Sequence, residues 1–497
     1  MKRPNVLIIG AGVAGITAAT HLAQRGLRVT VLDKNDHAGG RCDQFVRDGH
    51  RFDSGPTLLV MPLIYEAEFA ALGASMWERL DPQRVDPTYH LVFDDGSQLA
   101  LTSDLARLRK QVENIEPGAF AGLLGYLEEG RRHYDIAIEK LVNRDFRKAG
   151  DLWNIGNIPL LFQVKPLAKH YANMRFYFDE PRLKAAFTFQ DVYMGLSPFE
   201  APATFSMMPY TELAHGVWYP KGGMYRVVDA LVDIAREAGV EFFFDAEVER
   251  IQVKDDWATG VQLIGGERLE ADVFLGNADL PYMYQHLLPQ DNEAKRLARK
   301  KYSCSVISFF WGVDKSYPEL PPHTLFLADD YRGNFRSTSN GRTLPANPSF
   351  YIHAPARLDA SMAPVGEDTL TAIVPVGHLS ENGEQNWSAL RDRARKQVFR
   401  RLTLLGITDL SEHIKFETSY TPLSWRKRYN LAKGATHGLS HNLRQLAYFR
   451  PSNRHAKVHN LYFAGASTRP GTGLPTAMVS GRLTAERLMD DFDISRD

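Results

Sequence analysis

Residues Val6 to Arg41 read VLIIGAGVAGITAATHLAQRGLRVTVLDKNDHAGGR. The apolar run Val6 to Ile9 predicts a buried strand, and Ala18, Ala19 and Leu22 further on fall at helical spacing. Between the two stands Gly10-Ala11-Gly12-Val13-Ala14-Gly15, in which each glycine has a mechanical job. Gly10 makes the tight turn, Gly12 lets the backbone approach a pyrophosphate, and Gly15 lets the helix pack close on the strand. A second strand, Val29 to Leu32, ends in Asp33, about 20 residues past the glycine turn, where a carboxylate accepts hydrogen bonds from a ribose. Strand, turn, helix, strand and acid together predict a dinucleotide-binding βαβ unit, with the helix N-terminus aimed at phosphate. Lys2 and Arg3 ahead of an apolar run resemble an export signal, but the glycine spacing and Asp33 make this run part of a folding unit, and the terminus is read as uncleaved.

Composition narrows the partners. Lys plus Arg and Asp plus Glu each number 59 in 497 residues, so no overall basic excess points to nucleic acid. The two cysteines, Cys42 and Cys304, are far apart and lack metal-ligand spacing, so neither a disulfide framework nor a metal site is expected, and a reducing compartment fits. Cys42, beside Arg41, is read as a packing residue rather than a covalent attachment point. No run of 18 apolar residues occurs, so no bilayer span is expected.

Beyond Asp33 come Gly39-Gly40-Arg41 and the segment Arg51 to Thr57. A nicotinamide-binding unit needs neither, whereas a larger dinucleotide threading past it needs more donors and a cation, which Arg41 supplies; alone, the same residues would be a turn and an exposed arginine. From Met61 to about His170 the pattern reads as helical and irregular. Within it, Asp151 to Phe178 combines Leu160-Leu161-Phe162 with Lys165, Lys169 and Arg175, which suits either a membrane-interface segment or a helical lid packed on its own chain. Pro181 to Trp218 carries Phe187, Phe189, Met194, Phe205, Met207 and Met208, which either wall an apolar pocket or fill an ordinary core.

Gly216 to Met224 leads back into a βα layer, with a helix through Val227 and Leu231. Glu241 to Ile251 is expected as one strand, Gly260 to Glu270 as a β excursion, and Val273 to Leu275 as a buried strand ending at Gly276-Asn277-Ala278-Asp279. Open α/β sheets bind ligands at such strand ends. Ser303 to Val313, Thr324 to Leu327, Ser349 to His353 and Thr369 to Val374 gather as a second sheet, followed by a helix over Trp387 to Leu405. In the tail, a strand over Leu461 to Ala464 turns at Gly465-Ala466-Ser467, and a glycine loop enters a helix over Thr476 to Met489, whose N-terminus favours negative charge on a cofactor.

With both ends read, the chain resembles the bacterial and fungal phytoene desaturases, flavin-dependent carotene desaturases and isomerases of the amine-oxidase-like FAD superfamily. The likeness runs the length of the chain and is carried by GAGVAGITAA with VLDKNDHAGGR, by RFDSGPT, GVWYPKGGM and SFYIHAPARLDASMAPVGEDTL, and by LYFAGASTRPGTGLPTAMVSGRLTAERL. It implies an α/β fold in which a Rossmann-type, glutathione-reductase-like FAD-binding domain (residues 1–60, 216–290 and 421–497) is interleaved with a substrate domain of mixed β-sheet plus helices. Residues 61–215 would form a helical membrane or lid region and residues 291–420 the substrate-domain sheet. The resemblance further implies non-covalent FAD, a long isoprenoid substrate such as phytoene, peripheral membrane association of a cytoplasmic enzyme, and oxygen or a quinone as electron acceptor.

Carried over by motif, Gly10, Ala11, Gly12, Val13, Ala14, Gly15, Asp33, Lys34, Gly40 and Arg41 would hold the ADP half. Val248 would meet the adenine through its backbone, Asn277 and Ala278 would line the ADP cleft, and Pro56, Thr57, Gly465, Ala466, Pro475, Thr476 and Ala477 would lie near the flavin. Desaturation removes a hydride from an allylic carbon and then a neighbouring proton. Glu212, His215 and His353 are candidate bases for that proton, and none is assigned. Two other readings stay open: a polyene isomerase or oxidoreductase on the same scaffold, and a flavin-free prenyl-binding protein of the GDP-dissociation-inhibitor type.

Overall fold

The expected strand, helix and strand are Asn5–Ile9, Val13–Gln24 and Arg28–Leu32 in a computed structural model that describes residues 4–151, 163–288, 292–339, 344–379 and 385–494. They belong to a parallel five-stranded sheet in the spatial order Leu461–Phe463, Val273–Gly276, Asn5–Ile9, Arg28–Leu32, Glu241–Phe243. Strands from the start, middle and end of the chain therefore lie side by side, with Val6 opposite Val273 and Phe274 opposite Leu461. A parallel sheet must be covered on both faces. The Val6 and Ile8 face packs against Ile16, Val227, Leu231 and Leu488 of the helices Val13–Gln24, Arg226–Glu237 and Leu474–Asp491. On the other face, Leu7, Ile9 and Phe274 meet a small antiparallel sheet through Ile251 and Val261.

The stretch expected as one strand over Glu241 to Ile251 is two. Glu241–Phe243 joins the parallel sheet and Val248–Lys254 joins the antiparallel one, so the chain must change layers between them. Asp245 makes that change in the left-handed region (φ 53°), with its N–H on Asn35 O and that of Ala246 on Asp33 O.

The second sheet has seven strands, in the order Ile414–Tyr420, Ser305–Val313, Asp368–Val376, Phe350–His353, His323–Phe326, Tyr89–Val92, Gln98–Leu101. Strand periodicity divides its two faces. Ile307, Phe309, Trp311, Ala372 and Val374 point into a core shared with Trp387–Leu402, while Val306, Ser308, Ile373 and Pro375 face a cavity. The helical reading of Met61 to His170 needs correction here, because Tyr89–Val92 and Gln98–Leu101 form a hairpin at the sheet edge. Its signal is local: Asp95-Gly96 makes the turn, with Gly96 at φ 79° and Ser97 N–H on Asp95 Oδ1, between short apolar runs. Pro82–Val85 is also a strand, paired with Val217–Pro220. The Leu160-Leu161-Phe162 cluster falls outside the described residues. Among the described residues, no helix is long and apolar enough to cross a membrane.

Candidate active site

A cavity of about 520 Å³ runs from the glycine loop, between the two sheets, to the strands Ser305–Val313 and Asp368–Val376. Its first part is built on the ends of the parallel strands. Gly10 turns the chain at φ 106°, a value that favours glycine, and donates to Leu32 O at 2.7 Å. At Gly12 the helix begins with no side chain bonded to its first-turn N–H groups. A Cβ on Gly12 would stand 2.6 Å from Asn277 Oδ1, and one on Gly15 would stand 2.5 Å from Gly10 O.

Asn277 pins this arrangement: its Nδ2 donates to Ala464 O at 2.9 Å, while its buried Oδ1 has no donor. Asp33 closes the loop by accepting from Ala11 N–H at 2.7 Å and Asn35 N–H at 2.8 Å. Burial raises its pKa above the ordinary value, against the pull of those N–H groups.

Of the residues expected at the ADP half, Gly10, Gly12, Val13, Ala14, Asp33 and Lys34 line the cavity, as do Gly40, Arg41, Val248, Asn277 and Ala278. Two sit behind the wall instead. Ala11 is fully buried and bonded on both sides, its N–H to Asp33 and its carbonyl to Gly39 N–H, and Gly15 packs against the Gly10 carbonyl with no room for a side chain. Lys34 turns its ammonium to Lys427 O and Asn430 Oδ1, both at 2.9 Å, so it ties two loops together. Arg41 bonds Thr436 O at 2.8 Å through one nitrogen. Burial lowers the Arg41 pKa, and the Asp279 carboxylate opposes that shift.

The middle of the cavity is walled by Pro56, Thr57, Gly465 and Ala466, with Pro475, Thr476 and Ala477. Here a second helix starts at Gly473 (φ 112°) with no side-chain cap, since Thr476 Oγ1 bonds back to Thr472 O at 2.6 Å. Arg450 holds the adjoining loop. It is fully buried, and its hydrogen bonds go to the main-chain carbonyls of Leu439, Ser440, Gln445, Ala466 and Thr468. Burial lowers its pKa to about 9, so it remains a cation at neutral pH. Sequence reading missed it because a lone arginine in an irregular tail carries no spacing signal.

Beyond Thr57 the lining turns apolar. Phe189, Met194, Met207 and Met208 face the cavity, whereas Phe187 and Phe205 are core, so the apolar stretch does both jobs expected of it. Four tyrosines interrupt this wall, among them Tyr331, whose hydroxyl lies 3.2 Å from Thr188 Oγ1. Tyr351 OH bonds Thr57 Oγ1 at 2.9 Å and His323 Nδ1 at 2.6 Å, and Tyr193 OH bonds both Tyr89 OH and Glu212 Oε1, the latter at 2.7 Å. Of the three candidate bases, Glu212 is the one that bonds a lining residue, Tyr193. His215 bonds Thr211 between the rings of Tyr134 and Tyr210, and His353 stacks on His323 at 4.8 Å with burial lowering its pKa to about 3. Cys42 lies in the wall with its thiol on Met224 O at 3.8 Å and its pKa raised by burial, as a packing residue should.

These features fit FAD. An uncapped helix start, an arginine and an orphaned Asn277 Oδ1 suit a pyrophosphate and its ribose, and a second uncapped helix start suits an electron-rich ring. Residues 13–489 match the model of the flavin-containing amine oxidoreductase family. The chain is 42% identical to the zeta-carotene-forming phytoene desaturase of Myxococcus xanthus, over 97% of this chain and 93% of that protein. It is 39% identical to a phytoene desaturase of Fusarium fujikuroi, over 98% and 90% of the respective chains. Among solved structures, an oxidoreductase from Methanosarcina mazei superposes with a TM-score of 0.64 at 15% identity, covering 97% of this chain and all of that one, a likeness of fold.

Proposed function

Because the chain belongs to the flavin-containing amine oxidoreductase family, we propose that it is an FAD-dependent carotene desaturase that introduces conjugated double bonds into a long isoprenoid of the phytoene type. The observation that carries this reading is the distribution of charge along one cavity. The charged lining residues Asp33, Lys34, Arg41, Glu247 and Asp279 all belong to the ADP end, and the compartment beyond Thr57 offers aliphatic, aromatic and hydroxyl groups and the amide of Asn334, which is bonded to its own surroundings. An amine substrate would call for a carboxylate there, whereas an unfunctionalised polyene needs a shaped apolar wall.

When bound, FAD supplies a hydride acceptor. Around it, Gly12 and Gly15 admit the cofactor backbone, Arg41 offers its free guanidinium nitrogens to the pyrophosphate, and the helix start at Gly473 favours anionic character on the ring. With no polar handle on the substrate, Phe189, Met194 and Met208 orient it by shape and keep water from the reacting carbons. Anaerobic incubation of the FAD-loaded protein with phytoene should bleach the flavin and yield a product with extended conjugation. Conversion of cis to trans double bonds without bleaching would overturn the desaturase reading in favour of isomerisation.

The substrate is delivered from a membrane, on which the protein sits peripherally. Supporting this, Leu167 is 79% exposed and Phe176 65% exposed, with the Arg175 guanidinium 4.8 Å over the Phe176 ring. Oxygen or a quinone from the same membrane reoxidises the cofactor. Burying two such side chains is worth roughly 3 kcal/mol or more, so an L167S/F176S double variant should lose at least tenfold in partition onto anionic liposomes in a flotation assay. Flotation equal to that of the unmodified protein would count against the surface.

A further inference from the structure

Hydroxyl groups in the wall of a hydrocarbon-binding compartment are costly to bury unless each finds a partner. Tyr331 pairs with Thr188 Oγ1 at 3.2 Å, and two other chains each end on a titratable group. Thr57, Tyr351 and His323 form one, ending on a histidine whose buried Nε2 has no partner and whose pKa burial pushes well below its ordinary value. That chain ends in a group that resists a proton.

The other chain runs from Tyr89 to Tyr193 to Glu212, and it ends on a carboxylate that is 2% exposed. A tyrosine hydroxyl carries one proton, so the arrangement that satisfies both bonds has Tyr89 donating to Tyr193 and Tyr193 donating to Glu212 Oε1. A lone pair of Tyr89 is then left toward the cavity that Tyr89 and Tyr193 both line. Gln190 Nε2 holds the second Glu212 oxygen at 3.1 Å, so the carboxylate is aimed rather than free to rotate.

We propose that Glu212 takes up, through the hydroxyls of Tyr193 and Tyr89, the proton that the substrate loses on desaturation. This rests on the desaturase reading. Bound FAD would take the hydride from one allylic carbon, and the adjacent C–H bond then breaks heterolytically. Its electron pair becomes the new π bond and its proton bonds to Tyr89 O. Tyr89 passes its own proton to Tyr193, and Tyr193 passes its own to Glu212 Oε1. The substrate cation and the Glu212 carboxylate leave as a neutral polyene and a neutral acid, with both tyrosines restored. Glu212 acts through its neighbours and does not touch the substrate.

Burial supports the assignment by raising the Glu212 pKa to about 7, with the bonds from Tyr193 and Gln190 opposing the shift. The titratable groups facing it are Tyr193, Tyr89 on the edge strand and Tyr126 on the helix Ala119–Ala137, all of which stay neutral in this range because burial and Glu212 itself raise their pKa values. A carboxyl raised to about 7 is a base only above that pH, so proton removal should fall as pH drops through 7.

The test compares FAD-loaded wild type with E212Q, E212D and Y193F. In the resting protein, without substrate, infrared titration should show a carboxylic acid band that disappears near pH 7, is absent in E212Q and is shifted in Y193F. With phytoene under anaerobic conditions, E212Q and Y193F should form conjugated product about 10²-fold more slowly at unchanged FAD content, because the proton is lost after the hydride. The acidic limb of the pH profile should vanish in E212Q, and E212D should regain part of the rate. Wild-type rates and an unchanged pH profile in both E212Q and Y193F would overturn the proposal, as would a Glu212 band titrating in the ordinary carboxylate range. Wild type that neither reduces flavin nor forms conjugated product from phytoene would instead sink the desaturase reading, and the proposal with it. Should E212Q fail to fold, Y193F breaks the same chain while leaving the carboxylate in place.

Discussion

A Gly12→Val protein should purify without the yellow colour of a flavoprotein and bind added FAD at least 100-fold more weakly than the unmodified chain. The reason is the crowding at Asn277. A Cβ on residue 12 would stand 2.6 Å from Asn277 Oδ1, and Asn277 cannot retreat freely because its Nδ2 is tied to Ala464 O at 2.9 Å. The two γ-carbons of valine would also occupy the mouth of the first helix, where the N–H groups lack any side-chain cap and the pyrophosphate has to approach. A 100-fold loss corresponds to about 2.7 kcal/mol, well within what one displaced phosphate contact and one broken amide hydrogen bond cost together. Absorbance of the purified protein and fluorescence titration with FAD measure the effect. Far-ultraviolet circular dichroism should stay near wild type, because the seven-stranded sheet is built from other residues. A full complement of tightly held flavin in Gly12→Val would show that the glycine loop does not carry the cofactor.

Arg450→Met should cost about 3–5 kcal/mol of stability and, in addition, weaken FAD binding. Methionine fills most of the same volume but donates nothing, so the carbonyls of Leu439, Ser440, Gln445, Ala466 and Thr468 lose their shared partner at once. Each buried carbonyl left bare costs about 1–3 kcal/mol, less where water can enter, and the sum is capped by relaxation of the loop. Relaxation is itself the second effect, because Ala466 lines the cavity beside the second helix start. Arg450→Lys should recover little, since a single ammonium cannot reach acceptors spread around a planar fork. Denaturant unfolding of the holoprotein reads the first effect and flavin titration the second. A variant as stable as wild type, with flavin held as tightly, would refute the role of the buried guanidinium.

Much of the first sheet and of the ADP half could be read from the chain in order. Glycine spacing, the apolar runs at Val6 and Val273 and the acid at Asp33 are local signals, because a tight turn, a buried parallel strand and a strand-end carboxylate each constrain only neighbouring residues. What local signals could not supply was where a segment would be placed. The hairpin of Tyr89–Val92 and Gln98–Leu101 lies among helices in sequence, yet it extends a sheet whose other strands begin more than 200 residues later, so its apolar residues carried no sign of their partner. Glu241 to Ile251 looked like one strand because alternation continues through the point at which the chain changes layers.

The same division holds for chemistry. Residue types alone pointed to Gly10, Gly12 and Arg41 as the residues to hold a dinucleotide's pyrophosphate, because the requirements of a phosphate for backbone N–H groups and positive charge are met within short stretches. They also named Glu212, His215 and His353 as candidate bases without ranking them. Tertiary structure did the ranking, since a base is defined by what lies within hydrogen-bond reach. His353 is buried behind a ring stack and His215 is turned to Thr211, while Glu212 is joined through Tyr193 and Tyr89 to the cavity. Three residues from separate parts of the chain make that connection, and only folding brings their hydroxyl and carboxylate oxygens within a bond length of one another's protons.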